Sequence, residues 1–157
     1  MSLSSDFTQP DMEATPPPLI GALLRIPFET VRDRMLAGLH ERGYTDLIAA
    51  HLDVFQYPGP ENLRPIELAA KTRMSKQALN YLLGSLERAG YLERRPHPDD
   101  SRSRRIVLTA RGLGAVKVIR DAVADLETSW TQLLGPRRFA QLRTMLQELG
   151  RSPLPPT

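Results

Sequence analysis

Cysteine is absent from the 157 residues. Without thiols there is neither a disulfide framework nor a thiolate metal site, and the composition suits a reducing cytoplasm. No apolar run approaches the length of a membrane span or a signal-peptide core, so nothing points to a membrane or to export. Histidine is scarce too. His40, His51 and His97 are scattered among helix ends and a loop, with no carboxylate spacing that would group them around a metal. A nucleophile motif, a Gly-rich phosphate loop and paired carboxylates in a cleft are all missing. The residues therefore argue against an enzyme, and no cofactor is expected.

What charge there is lies unevenly. The net charge is only +3, yet residues 71–111 hold ten Lys or Arg against four Asp or Glu. The rest of the chain is slightly acidic. A basic segment in such a setting is the electrostatic footprint of a phosphate-binding surface.

That segment also has the clearest local structure. Ser75 is placed to cap a helix, because its hydroxyl can take up an orphan amide of the first turn. Leu79, Leu82, Leu83 and Leu86 then recur at helical spacing and form one apolar face. Gln77, Asn80, Tyr81 and Gly84 fall on another face, where Gly84 would let a strand or backbone approach. Gly90 ends the helix, having no Cβ penalty at positive φ. Residues 91–95 and 105–109 read as two short strands, Ile106 and Leu108 alternating in the second. Residues 96–104 between them are too polar and Pro-rich to pack and should protrude as a loop. A helix with a polar reading face followed by a basic hairpin is a winged helix-turn-helix.

The flanks read as helices. Pro16-Pro17-Pro18 can open a first helix to about Arg42, in which Leu24, Phe28, Val31, Met35 and Leu39 keep steps of three and four. Pro27 should kink it. Thr45 is placed to cap a second helix carrying Leu47, Ile48, Leu52 and Phe55, and Pro65 starts a third that ends near Thr72. Arg73-Met74 makes the tight turn into the reading helix. Thr109 caps a long fifth helix whose Leu113, Val116, Ile119, Val123, Leu126, Trp130 and Leu133 form a sustained seam, and a sixth follows Gly135-Pro136. The expected organisation is a disordered segment (1–15), a dimerisation helix (16–44), the winged helix-turn-helix (45–109), C-terminal dimerisation helices (110–150) and a tail (151–157). The fold class is mainly α with a small β wing. So small a winged domain cannot cover all the apolar helix faces around it, which predicts a two-fold homodimer of interlocked first, fifth and sixth helices.

Ile66-Glu67-Leu68-Ala69-Ala70, Ser75, Leu86 through Arg95, Asp100-Ser101-Arg102 and Leu108-Thr109-Ala110-Arg111-Gly112 together resemble the MarR family of bacterial regulators, over roughly residues 45–149. The resemblance implies the same dimeric architecture. It also places Arg102 at a minor groove. Asp100, two residues earlier, is placed to hold the hairpin and aim that guanidinium. Relatives often bind small aromatic or phenolic effectors between the dimer helices and the wing domain; Phe28, Arg32, His51, Phe55 and Tyr57 could line such a space in this chain, the alternative being that these aromatics belong to the core. The thiol-oxidation sensing used by some relatives is excluded here for want of cysteine.

For reading double-stranded DNA, Lys76, Gln77 and Asn80 supply the donors and acceptors that major-groove base edges require, and Tyr81 can meet a sugar or a thymine methyl. Arg104 and Arg105 alternate, as do Arg94 and Arg95, so one of each pair should face with Arg102; Arg104 and Arg94 are the expected phosphate contacts. The function expected is a homodimeric, sequence-specific transcriptional regulator acting in the bacterial cytoplasm on a palindromic operator, as a repressor released by a small effector. The alternative is a winged helix used for protein contact, which would present an apolar reading face.

Overall fold

The computed structural model describes residues 17–56 and 59–151. The expected disordered segment and tail, and Tyr57, lie outside those residues apart from Arg151, the last residue of the final helix. The described chain runs α1 (Ile20–Glu41), a 3₁₀ turn (Ala49–His51), α2 (Leu52–Phe55), α3 (Pro65–Thr72), α4 (Lys76–Arg88), β1 (Leu92–His97), β2 (Asp100–Leu108), α5 (Ala110–Leu134) and α6 (Pro136–Arg151). It is mainly α with a small two-stranded antiparallel sheet, as its periodicities require.

Helix α1 runs unbroken through Pro27. It packs along α5, with Gly38 so close that an added Cβ would lie 3.2 Å from the Ala122 methyl. The α1–α5 contact is thus made within one chain. The seam along α5 divides accordingly: Ile119 and Leu126 are buried, while Leu113 and Leu133 remain exposed.

Thr45 caps no helix. Instead, Ile48 is extended and helical turns begin only at Ala49. Distant groups claim the intervening residues. The Tyr91 hydroxyl donates to Asp46 at 2.5 Å, His40 Nε2 donates to the Leu47 carbonyl at 2.7 Å, and the Ile48 amide donates to His51 Nδ1 at 3.2 Å. One local cap, worth about 1 kcal/mol, loses to that set.

The helix-turn-helix forms as its local signals demand. Pro65 opens α3, and the Glu67 carboxylate accepts the Arg64 amide at 2.7 Å. Arg73 then takes the left-handed conformation at φ 55°, costing roughly 1–2 kcal/mol for a residue with a Cβ. Met74 packs against the core beyond it. Ser75 caps α4 by accepting the Ala78 amide at 3.1 Å. Leu79, Leu82, Leu83 and Leu86 are buried, each contributing about 1.5–3 kcal/mol. Gly90 follows at φ +77°.

The wing is strand for most of its length. Register runs from Leu92 opposite Leu108 to Pro96 opposite Arg104, then slips so that His97 faces Asp100. A backbone ladder needs no apolar side chains, so the polar residues expected in a loop pair instead, and their side chains stand in solvent. Residues 61–63 cover the other edge of β2: the Asn62 amide donates to the Ile106 carbonyl at 2.9 Å, and the Ile106 amide to Leu63 at 2.8 Å.

Candidate nucleic-acid interface

The solvent face of α4 carries Lys76, Gln77, Asn80 and Tyr81, all exposed, Tyr81 to 74%. Among the described residues none of the four makes a side-chain hydrogen bond or ion pair. Their polar atoms are satisfied only by solvent. No strand or backbone comes within 4 Å of a Cβ placed on Gly84; only the end of the Arg88 side chain does, at 3.4 Å. The glycine therefore leaves a low spot in this face and serves no packing inside the chain.

In the wing, the arginines divide by partner. Arg102 and Arg104 are exposed and enter no side-chain hydrogen bond or close ion pair among the described residues. Arg105 reaches back to the Asn62 side chain at 2.8 Å, and Arg95 pairs with Glu93 at 2.8 Å. Arg94 is also taken up. Its Nε and Nη2 donate to one oxygen of Glu87 on α4 at 3.0 and 2.8 Å, and its amide donates to the other. Hydrogen bonding to Arg94, against the opposing effect of burial, holds the Glu87 carboxyl below its usual value, and the nearby charge of Arg104 adds to this. The structure thus gives Arg94 the work of tying wing to reading helix, where a free phosphate contact was expected. Asp100 takes up one of its two expected roles. Its Oδ1 accepts the backbone amide of Arg102 at 3.0 Å, so it braces the turn and does not aim the guanidinium.

A joint that sequence reasoning did not single out connects this interface to α5. Tyr91 is fully buried just past α4, its hydroxyl on Asp46. Arg111 lies over the Tyr91 ring, 4.3 Å from its centre, and donates to both Asp46 oxygens at 3.1 Å and to the Ala89 carbonyl. Burial would raise the Asp46 carboxyl, but Tyr91, its own backbone amide and Arg111 outweigh that and hold it low. Burial, then Asp46, push the Tyr91 hydroxyl above its usual range. Thr109 both caps α5 through the Gly112 amide at 3.2 Å and donates to the Gly90 carbonyl at 2.6 Å. The end of the reading helix and the start of α5 are therefore tied directly together. The only hint in the sequence was the Thr109-Ala110-Arg111-Gly112 run, whose partner Asp46 is 65 residues away from Arg111.

Between α1, α2 and α5 lies a cavity of about 480 Å³, its walls including Phe28, Met35, Phe55, Val116, Ile119 and Val123, with Arg120 and Glu127 at the α5 side. Phe28 and Phe55 are thus both in its wall. Arg32 and His51 do not line it. Arg32 is held by Asp53 at 2.5 Å and by the Ala49 carbonyl at 2.7 Å, 5.8 Å from the Phe28 ring centre. His51 turns towards Ser85. The α5 lining went unrecognised because its valines and isoleucine carry the same spacing as an interface seam.

Residues 55–103 match the MarR family model. The fold is shared with wild-type MarR from E. coli in its apo form (24% identity over 85% of this chain and 97% of that one, TM-score 0.65). It is shared equally with CouR, described as a transcriptional repressor and solved on a 23-mer DNA duplex (23% identity, 85% and 93% covered, TM-score 0.65). CouR from Rhodococcus jostii RHA1 bound to p-coumaroyl-CoA is also similar (20% identity, 87% and 95% covered, TM-score 0.66). No curated protein sequence matches the chain. The solved structures give the fold, a winged helix-turn-helix, and within it residues 55–103 are similar to the MarR family.

Proposed function

We propose that this protein is a homodimeric, sequence-specific regulator of transcription that binds double-stranded DNA in the cytoplasm and is a repressor released by a small effector. The observation that carries the reading is the pairing pattern. Among the described residues Lys76, Gln77 and Asn80 on α4, and Arg102 and Arg104 on the wing, keep their polar atoms free, while Arg94, Arg95 and Arg105 beside them are taken up by Glu87, Glu93 and Asn62. A protein-contact face would bury apolar groups at those positions. The DNA-bound CouR structure supports DNA as the partner. The effector reading draws on CouR with p-coumaroyl-CoA and on the apolar cavity, whose size falls within the range of small-molecule sites. An effector there must favour a spacing of the two reading helices that does not fit DNA, since equal affinity for both arrangements shifts nothing.

The test begins with the tightest duplex selected from a randomised pool. A two-fold dimer calls for an imperfect palindrome with half-site centres roughly 10 bp, or a multiple, apart. Salt titrations on that duplex and a scrambled one then separate reader from anchor. Asn80→Ala should cost on the order of 1–3 kcal/mol on the selected duplex alone, relaxing one symmetric position. Arg104→Ala should weaken both duplexes alike and flatten the salt dependence by roughly one phosphate contact per subunit. Selection that enriches no sequence would overturn the proposal.

A further inference from the structure

Beside the reading face is a hollow that the polar contacts do not use. Pro65 and Ile66 at the start of α3, with Leu79 of α4, form its apolar floor and wall, and Lys76 and Asn80 stand on its rim; it encloses about 170 Å³. Leu79 is fully buried beneath it. Ile66 is 55% exposed although it lies in the first turn of a helix whose Leu68 and Ala69 already supply the core contact. Exposing a β-branched apolar side chain there gains nothing for stability. Lys76 and Asn80 have no internal partner among the described residues, so the rim presents one fixed cation and one amide beside a greasy surface.

We infer that this hollow is a specificity site for the C5-methyl group of a thymine, with Ile66 as a reader contributed from outside the recognition helix. The inference rests on the proposed reading of DNA. In the major groove thymine alone among the four standard bases sets an apolar methyl next to an acceptor, O4. The methyl would lie on Ile66, Pro65 and Leu79 while O4 accepts from Lys76 or from the amide of Asn80. Cytosine fits poorly. It lacks the methyl, and its N4 donor would face the ammonium of Lys76. The charge on the rim also distinguishes a nucleic acid from an apolar peptide as the occupant, because a peptide side chain filling the hollow would leave Lys76 against it without a counter-charge.

The experiment replaces each thymine of the selected duplex, in symmetric pairs, by deoxyuridine, which removes the methyl and nothing else. Wild-type protein should lose roughly threefold to fivefold in affinity per half-site at one pair, the value of one buried methyl. Ile66→Ala should bind the thymine duplex more weakly by a similar factor and show no further loss with deoxyuridine at that pair. Ile66 is exposed, so the variant should keep its fold, which its unfolding midpoint checks. Several results overturn the inference: no thymine in the selected half-site, a flat deoxyuridine scan, or an Ile66→Ala protein that still senses every methyl. If the wild-type protein prefers the selected duplex to a scrambled one while any of these holds, this site fails and the reading by α4 stands. If it shows no such preference, both fail.

Discussion

His51 is the buried polar residue of the core, and its two ring nitrogens have different duties. Nδ1 accepts the Ile48 amide, so the proton must sit on Nε2, which donates to Ser85 Oγ of α4 at 3.2 Å. A second proton on Nδ1 would break the first of these bonds and place a charge in the core. Burial lowers the pKa of His51, opposed in part by the negative charge of Asp46. The sign follows: the neutral ring is favoured in the folded state, so its contribution is complete above the unfolded value near 6.5 and is lost as pH falls through that value towards the lower folded one. Urea midpoints measured from pH 7.5 to 5 should therefore fall, and the part of that fall due to His51 should vanish in His51→Gln. An equal pH dependence in both proteins would refute the assignment. Arg32, Arg94 and Asp100 make the complementary point, since each carries the right chemistry for a binding role and each is engaged by a neighbour inside the chain.

Two glycines show how elements meet. A Cβ on Gly112, in the first turn of α5, would lie 2.0 Å from the Tyr91 carbonyl oxygen, a backbone atom that the Thr109 amide also uses at 3.1 Å. That oxygen cannot move without separating α5 from the end of α4. Gly112→Ala should accordingly destabilise the fold by about 3 kcal/mol or more, at the upper end for overpacking. Gly84→Ala should do the reverse. It lies inside α4 with only the flexible tip of Arg88 nearby, and should gain about 0.8–1 kcal/mol of helix propensity. Denaturant titration of the two variants checks both signs, and a loss of DNA affinity in the more stable Gly84→Ala would show that the low spot faces a base or a sugar.

At the scale of the whole molecule, exposed apolar side chains of the described residues gather most densely in two places. Leu19 just before α1 and Ile20, Leu23 and Leu24 in its first half are exposed, as are Leu142, Met145, Leu146 and Leu149 on α6, which buries no residue. α1 and α5 cover one another within the chain, so a dimer built from this surface would join the start of α1 and α6 and leave the α1–α5 packing intact. Sedimentation equilibrium should give a dimer at micromolar concentration. Leu146→Glu with Leu149→Glu should yield folded monomers, because neither side chain is buried in the single chain. A compact wild-type monomer would remove the dimer and, with it, the reason for a palindromic site.

The residues alone determined most features governed by neighbours three or four positions apart. Ser75 and Thr109 as caps, the four leucines of α4, the glycine after it and the start of α3 at Pro65 are all in place, because capping and helical periodicity involve only nearby groups. The polar face of α4 was legible for the same reason. Tertiary structure decided which groups remained available. Thr45 lost its helix to bonds from Tyr91, His40 and His51; Arg94 went to Glu87; and the wing's polar stretch became strand through its partner strand's backbone. The valines and isoleucine of α5 came to line a cavity, since spacing along a helix does not say what lies opposite. Local propensity contributes about 1 kcal/mol at a time, and a few bonds from distant residues are enough to redirect it.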